Sequence, residues 1–133
     1  MGTSGKIVLT IICSCLALVG FMVKLPSGFR HIDKELHALF YFLAAAFLNI
    51  LFTKKRVLVH ILIFAALYYI GIAIEYAQAY SNELLHKRIH GRYDPEDVRA
   101  NLNGLLLYSA LWIVYVVLVS GYNKIRTKAL GQK

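Results

Sequence analysis

Residues 57–77 read VLVHILIFAALYYIGIAIEYA, an apolar run in which His60 and Glu75 are the strongly polar residues. The run is long enough to cross the ~30 Å hydrocarbon core of a bilayer. It lacks the alternation of polar and apolar residues that is typical of a barrel strand. Because a bilayer offers no water to the backbone, the run predicts a transmembrane helix.

Three further runs have the same character, and together they predict the fold class. Hydrophobic residues make up 59% of the 133-residue chain and charged residues 17%, too few to cover a water-soluble domain of this size. The sequence therefore predicts an all-α integral membrane four-helix bundle in a single domain, residues 1–133. The expected helices cover roughly residues 7–23, 36–52, 57–77 and 95–119.

The charged residues divide between the two ends of these helices. The amino terminus, the segment between the second and third runs and the carboxyl-terminal tail together hold eight basic residues and no acid. The opposite segments hold the other seven basic residues and all seven acids. Lys and Arg are enriched in short cytoplasmic loops, so we expect both termini in the cytoplasm. The net charge of +8 then indicates contact with anionic membrane lipids rather than with nucleic acid.

The first run also resembles a targeting signal, because a lysine precedes a long apolar stretch. Its exit, VKLPS at residues 23–27, contains no small-residue cleavage site, so we expect the first helix to be retained. Cys13 and Cys15 would point in different directions on this helix. We interpret them as small apolar residues rather than as a disulfide or a metal pair.

The segment between the third and fourth runs, residues 78–100, is too long for a simple turn. Residues 94–97, Asp-Pro-Glu-Asp, predict a helix start: Asp94 can cap, Pro95 suits the first helical position, and acids suit the positive end of the helix dipole. Residues 81–89 predict a short helix that lies in the membrane interface.

Polar residues of the second and third helices share helical faces at the same depth. Asp33, His37 and Tyr41 are spaced i, i+4 and i+8, which gives one stripe. Glu75 lies about 27 Å along the third helix from its start, at about 1.5 Å per residue, and Gln78 follows on the same face. These residues are therefore expected near the extracytoplasmic end.

The fourth helix brings a third group to the same depth. Asp97, Asn101 and Gly104 are spaced i, i+4 and i+7, again on one face, and Arg92 precedes the helix. The three groups together predict a polar pocket that opens to the extracytoplasmic side.

Structural explanations exist for the individual residues. Helix capping would explain Asp33 and Asp97, and an ion pair with an arginine would explain Glu75. Tyr41 would serve as an interfacial aromatic, and Asn101 as a hydrogen-bonding residue between helices. However, a carboxylate within a membrane segment costs at least a few kcal/mol unless it is paired or hydrated, so the convergence favours a functional pocket.

This combination of motifs resembles the VanZ-like family of small bacterial membrane proteins. The resemblance runs from residue 33 to residue 104 and rests on Asp33-Lys34-x-x-His37-x-x-x-Tyr41, Glu75-x-x-Gln78, Arg92, Asp94, Asp97, Asn101 and Gly104. The Arg92–Asp94 spacing is one residue shorter than is usual in that family, and Tyr108 replaces a frequent second glycine. The family is named after a protein linked to resistance to the glycopeptide teicoplanin. The resemblance therefore implies a bacterial cell membrane and a cell-envelope context, with antibiotic resistance as a related phenotype.

The favoured hypothesis is an enzyme that hydrolyses or transfers a lipid or lipid-linked envelope substrate at an anionic headgroup. His37 would act as general base or nucleophile, oriented by Asp33 or Glu75. Asp97 or Glu75 would serve as the acid. These four residues are the candidate catalytic group.

Five further residues are candidates for binding the substrate. Arg92 and Lys34 would hold the anionic headgroup through charge-assisted hydrogen bonds. Asn101, Gln78 and Tyr41 would donate hydrogen bonds to negative charge that develops during the reaction.

No cofactor can be assigned from the sequence. A divalent metal is possible, bound by His37, Glu75 and Asp97 or by the loop pair His86 and His90, but it is not favoured.

Two other functions remain open. The main alternative is a non-catalytic module that binds a lipid headgroup or glycolipid. A channel or transporter is less favoured, because the polar residues stop at one leaflet and the other half offers little beyond His60 and Asn49.

Overall fold

The computed structural model describes residues 2–22, 32–86 and 93–131. Within these ranges the chain forms four α-helices and no strand: α1 (Thr3–Met22), α2 (Asp33–Phe52), α3 (Val57–Leu84) and α4 (Pro95–Gly131). Each helix is long and apolar enough to span a membrane. The predicted all-α, multi-pass membrane bundle is therefore confirmed.

Helices α2, α3 and α4 form the centre of the bundle, and the contact between α2 and α4 is the most extensive. The buried apolar core consists of Tyr41 and Ala45 from α2, Leu67 from α3 and Leu105 from α4. Most other large apolar side chains point outward. This arrangement suits a bilayer, because lipid tails replace the water that would oppose such exposure.

Helix α1 lies against the outside of this three-helix centre, mainly along α3. One stripe of α1 is half-buried: Lys6, Thr10, Cys13 and Ala17. The Lys6 ammonium group donates to the backbone carbonyl of Leu51 at the end of α2. Cys13 and Cys15 are free, and most of the remaining surface of α1 is apolar and suited to lipid.

All four helices are longer than the sequence indicated. Helices α1 and α2 begin three to four residues earlier, at Thr3 and Asp33, and α3 and α4 extend further at their carboxyl ends. Residues 81–84 continue α3, so the prediction of a separate interfacial helix over residues 81–89 is wrong for its first half. Residues 87–89 lie outside the described residues. Helix α4 continues to Gly131 rather than ending near residue 119, and at about 1.5 Å per residue it is about 55 Å long. Its basic final turns therefore extend beyond a single bilayer core.

The helix order separates the charges along the bundle. The turn at residues 53–56 joins α2 to α3 at the end where Lys6 contacts Leu51. The opposite end carries the start of α2, the end of α3 and the start of α4, with Lys34 of α2 bound to the first turn of α4. Among the described residues, the acids consequently lie toward one end of the bundle, and the charged residues of the other end are all basic.

Candidate functional site

The first turn of α4 is fixed by its capping residue. The Asp94 carboxylate accepts a hydrogen bond from the Glu96 backbone N–H at 2.8 Å, and the Asp94 carbonyl accepts from Asp97 N–H at 3.2 Å. Pro95 occupies the first helical position, as the sequence predicted. This geometry turns Asp97 toward α2 and leaves Glu96 exposed.

Helix α2 supplies the facing side chains. Ile32 occupies the cap position of α2, so Asp33 is the first residue of the helix and lies in its first turn rather than at the predicted cap. His37 Nε2 lies 4.0 Å from Asp33 Oδ1, one turn away on the same helix. His37 Nδ1 lies 2.9 Å from Asn101 Oδ1, a buried hydrogen bond that joins α2 to α4. A carboxamide oxygen only accepts, so Nδ1 donates in this hydrogen bond, and in a neutral ring the lone pair is then on Nε2.

Lys34 is surrounded by carboxylates from the first turn of α4. Its ammonium nitrogen lies 2.7 Å from Glu96, 3.4 Å from Asp94 and 3.7 Å from Asp97. The Lys34 side chain retains 46% of its exposure, so solvent screens these pairs. The ammonium group is therefore already compensated by protein charge.

Glu75 is the most deeply buried carboxylate of the described residues, with 2% of its surface exposed. Its Oε2 accepts a hydrogen bond of 3.4 Å from the Asp94 backbone N–H, which ties α3 to the start of α4. It also lies close enough to His37 and Asp97 to interact electrostatically with both. Glu75 thus belongs to the same cluster as the residues of α2 and α4.

Tyr41 and Asn101 meet α3 at Gly71. A Cβ atom at Gly71 would lie 2.9 Å from the Tyr41 hydroxyl oxygen and 3.0 Å from Asn101 Nδ2. Tyr41 is 1% exposed and Asn101 2% exposed. The glycine therefore makes room for two polar side chains in the middle of the bundle.

The structure brings eight of the nine predicted site residues to one end of the bundle, and Arg92 lies outside the described residues. Six of them form a connected group across three helices. We call this group the acidic cluster: Asp33, Lys34, His37, Glu75, Asp97 and Asn101. Tyr41 lies directly beneath it. Gln78 is half-buried about one turn beyond Glu75.

Asp97 Oδ1 has an unusual environment. The atom is buried, and no hydrogen-bond partner is found for it among the described residues. Ligand atoms of Asp33, His37 and Asp97 all lie within 4.8 Å of one another. The sequence suggested His37, Glu75 and Asp97 as possible metal ligands. In the structure, the third group whose ligand atom lies close to those of His37 and Asp97 is Asp33. Of the suggested loop pair, His86 is exposed and His90 lies outside the described residues.

A second polar cluster, at the opposite end, was not recognised as such from the sequence. We call it the inner cluster: Asn49, Thr53, His60 and Ser109, with Trp112 beside it. Asn49 Oδ1 accepts hydrogen bonds from Thr53 Oγ1 at 2.7 Å and from His60 Nδ1 at 2.8 Å. His60 Nε2 lies 3.2 Å from Ser109 Oγ, and its ring stacks on Trp112 with centroids 4.1 Å apart.

The apolar side chains of Ala45, Leu67 and Leu105 lie in the core between the two clusters. Tyr41 and Asn49 mark the facing edges of the clusters on α2, and eight residues of helix separate them by about 12 Å. The inner cluster has well-paired members, as expected for a group that holds helices together. The acidic cluster is the better candidate for chemistry.

The acidic cluster and its rim have a strongly negative balance. Among the described residues, the carboxylates of Asp33, Glu75, Asp94, Glu96 and Asp97 surround a single ammonium group, that of Lys34. Such a site can accept protons and bind cations. It cannot bind an anion by its described side chains alone, because the carboxylates would repel it.

Comparison with known proteins adds no relative to this description. No family model matches the chain, and neither the curated proteins nor the solved structures contain a significant match.

Proposed function

We propose that this chain is a VanZ-like protein of the bacterial cell membrane that acts on a lipid or lipid-linked envelope substrate. The reaction would be hydrolysis or transfer at an anionic headgroup, on the extracytoplasmic side. The observation that carries the proposal is the burial of Glu75, at 2% exposure, beside His37 and Asp97. A buried carboxylate is costly in a membrane protein, and such residues generally mark functional sites.

The orientation follows from the separation of charges. Lys6, the turn at residues 53–56 and the basic end of α4 occupy one end of the bundle, and this end holds no acid among the described residues. The positive-inside tendency assigns that end to the cytoplasm. The acidic cluster then faces the periplasm or cell exterior, where envelope lipids are modified.

An apolar groove beside the acidic cluster supports a lipid substrate. It lies between α2 and α4, has a volume of about 430 Å³ and opens outward. Its lining is almost entirely apolar, with Glu35 and Asn103 as the polar residues. An acyl chain fits this surface, and the headgroup of the same lipid would then lie near His37 and Asn101. The groove is lined by Glu35, Ala38, Leu39, Phe42, Asn103, Gly104 and Leu107.

The geometry also revises the role of Lys34. The sequence suggested that Lys34 binds an anionic headgroup, but three carboxylates already surround its ammonium group. His37 retains the role of general base in the proposal. Its Nδ1 is oriented by Asn101, which leaves Nε2 as the basic nitrogen on the side of Asp33.

Comparative lipid analysis tests the proposal. Cells that lack the protein should accumulate a lipid or lipid-linked species that wild-type protein removes and the Glu75→Gln variant does not. Glu83→Gln is the matched control, because it makes the same change at an exposed position of α3. Unchanged lipids in all strains would contradict the enzymatic proposal. If purified protein nevertheless binds lipid, the non-catalytic alternative would hold.

A further inference from the structure

We infer that Asp33, His37 and Asp97 form a binding site for one divalent transition-metal cation, with Zn²⁺ or Mn²⁺ as the best match. This inference deepens the proposed function, and its role in holding an anionic headgroup rests on that proposal. With the cation bound, the Nε2 lone pair of His37 is used for coordination, so His37 would be a ligand rather than the general base, and the neighbouring Glu75 carboxylate would take the role of base. The binding itself follows from the geometry and charge of the acidic cluster.

The three ligands converge from two helices. Asp33 and His37 are one turn apart on α2, and Asp97 faces them from the first turn of α4. Their ligand atoms lie within 4.8 Å of one another. Two ligands of a tetrahedral Zn²⁺ ion with bonds of about 2.0–2.2 Å are separated by roughly 3.4 Å. Shifts of less than about 1 Å would therefore bring all three ligands to a single ion.

His37 is held in the orientation that a metal ligand requires. Its Nδ1–H donates to Asn101 Oδ1 at 2.9 Å, which leaves the lone pair on Nε2. Nε2 lies 4.0 Å from Asp33 Oδ1, on the side of the ring where the other two ligands converge. A ligating histidine commonly donates its other ring N–H to a neighbouring acceptor, and Asn101 occupies that position here.

Asp97 provides the second indication of a cation. Its side chain is 14% exposed, and its Oδ1 is buried without a hydrogen-bond partner among the described residues. A buried carboxylate oxygen requires compensation, and Lys34 supplies some of it from 3.7 Å. The Lys34 side chain is 46% exposed and bound more closely to Glu96 at 2.7 Å, so it can move away as a cation enters.

The local charge around the three ligands points in the same direction. Among the described residues, five carboxylates of the acidic cluster and its rim lie around the ammonium group of Lys34. A divalent cation would reduce their mutual repulsion. It would also bridge the protein carboxylates to phosphate oxygens, as metal ions do in other phosphate sites. Such a cation would give this acidic site a means to bind an anionic headgroup.

The donor atoms restrict the identity of the ion. Imidazole nitrogen favours Zn²⁺ and other transition metals, whereas Mg²⁺ and Ca²⁺ prefer sets made entirely of oxygen. One histidine and two carboxylates therefore suit Zn²⁺ or Mn²⁺. Three protein ligands leave a position for water or substrate, as in catalytic rather than structural sites.

The test measures Zn²⁺ binding to the full chain, purified in detergent micelles, with any affinity tag removed and bound metal stripped by chelation. Calorimetry should show one equivalent of Zn²⁺, and Mn²⁺ should give an electron paramagnetic resonance signal from a bound ion. Asp97→Asn and His37→Asn should each weaken Zn²⁺ binding at least about 100-fold. The His37→Asn change is informative because its amide can still donate to Asn101, so the link between α2 and α4 is kept.

Two control variants exclude other sources of binding. His86→Asn removes an exposed histidine, and Glu83→Gln removes an exposed carboxylate, so both should bind Zn²⁺ like the wild type. The inference is overturned if wild-type protein binds no Zn²⁺, if Asp97→Asn and His37→Asn bind as well as wild type while remaining folded, or if His86→Asn abolishes binding. Folding of each variant is checked by its thermal transition in the same detergent.

The lipid experiment separates this inference from the proposed function. Zn²⁺ binding that depends on Asp97, together with unchanged cellular lipids, would retain the metal site and reject the enzyme. A lipid change that depends on Glu75, without Zn²⁺ binding, would retain the enzyme and reject the metal site.

Discussion

Gly104 of α4 packs directly against the backbone carbonyl of Ala38 of α2. A Cβ atom at position 104 would lie 2.0 Å from the Ala38 oxygen and 2.9 Å from its carbonyl carbon, distances that a folded protein cannot accommodate without moving a helix. His37 precedes Ala38, and Asn101 lies one turn before Gly104. This close approach therefore sets the distance across which the hydrogen bond of 2.9 Å between His37 and Asn101 forms.

We expect Gly104→Ala to destabilise the bundle by about 1–3 kcal/mol, because the added methyl group overpacks the contact between α2 and α4. The thermal transition in detergent measures the effect. Gly121→Ala is the matched control on the same helix, since within the described part of the chain no other helix and no side chain beyond its chain neighbours lies within 4 Å of its Cβ position. Alanine has the higher helix propensity, so this control should be neutral or slightly stabilising. Equal transitions for the two variants would show that the close approach is not required.

Gly71→Ala should damage the site more than the fold. Its Cβ would meet the hydroxyl end of Tyr41 and the amide end of Asn101, which are side-chain tips that can move by a few tenths of an ångström. The gain in helix propensity offsets part of the strain, so we expect stability within about 1 kcal/mol of wild type. Displacement of Asn101 should loosen His37 and weaken Zn²⁺ binding by about tenfold.

Calorimetric titration and thermal unfolding of the same Gly71→Ala sample check this separation. Gly121→Ala again serves as the control, because it adds the same methyl group to a helix without a neighbour. Unchanged Zn²⁺ affinity in a folded Gly71→Ala protein would contradict the proposed positioning role of Asn101.

Much of the acidic cluster was predictable because helical spacing fixes which side chains share a face. Asp33 and His37 on α2, and Asp97 and Asn101 on α4, are spaced i, i+4, and each pair faces the other helix as expected. Glu75 was recognised because a carboxylate in an apolar run is rare. The sequence could not show that Lys34 pairs with α4, since this contact depends on how the two helices are rotated.

The inner cluster was missed for a related reason. Asn49 and Thr53 are spaced i, i+4, which is a recognisable pattern, but Ser109 and Trp112 belong to α4. Their contact with His60 depends on the relative position of α4 along the bundle. Helix ends were also difficult to predict. Helix α3 continues into polar sequence that has no proline or glycine at residues 78–84, whereas α4 continues through Gly121, a residue type that commonly marks a helix end.

The face of α1 that packs against the bundle could not be predicted from its sequence either. This helix has apolar side chains on every face, so hydrophobicity alone does not select the face that packs against the bundle. The half-buried stripe of Lys6, Thr10, Cys13 and Ala17 consists of small or polar residues and contains no large apolar side chain. Small residues allow helices to approach closely in membranes, which gives a physical reason for this choice of face.

Asn49→Leu should destabilise the fold without changing the acidic cluster. The substitution removes the acceptor of the Thr53 and His60 hydrogen bonds and leaves both donors buried. We expect a loss of about 1–3 kcal/mol in unfolding free energy. Zn²⁺ affinity should remain within about twofold of wild type, since the apolar core separates the clusters and substitutions without shared partners act independently.

Asn103→Leu is the control for this change. Asn103 is exposed on α4, so the same substitution there should leave stability unchanged or raise it in a lipid environment. If Asn49→Leu were as stable as Asn103→Leu, the inner cluster would not hold the helices together. A large loss of Zn²⁺ binding in folded Asn49→Leu would instead reveal coupling between the two ends.

Lys34→Gln should strengthen cation binding. If Lys34 instead bound the anionic substrate, the same substitution would weaken substrate binding. The ammonium group lies 3.7 Å from Asp97 Oδ1 and competes with a metal ion for that oxygen. At such a distance even water-screened repulsion reaches about 1 kcal/mol per pair of unit charges, so its removal should raise Zn²⁺ affinity about tenfold. Stability should change by less than about 1 kcal/mol, because the pairs are exposed. Lys34→Arg keeps the charge and should bind Zn²⁺ like wild type. A Lys34→Gln protein with weaker Zn²⁺ binding would show that the lysine supports the site rather than competing with the cation.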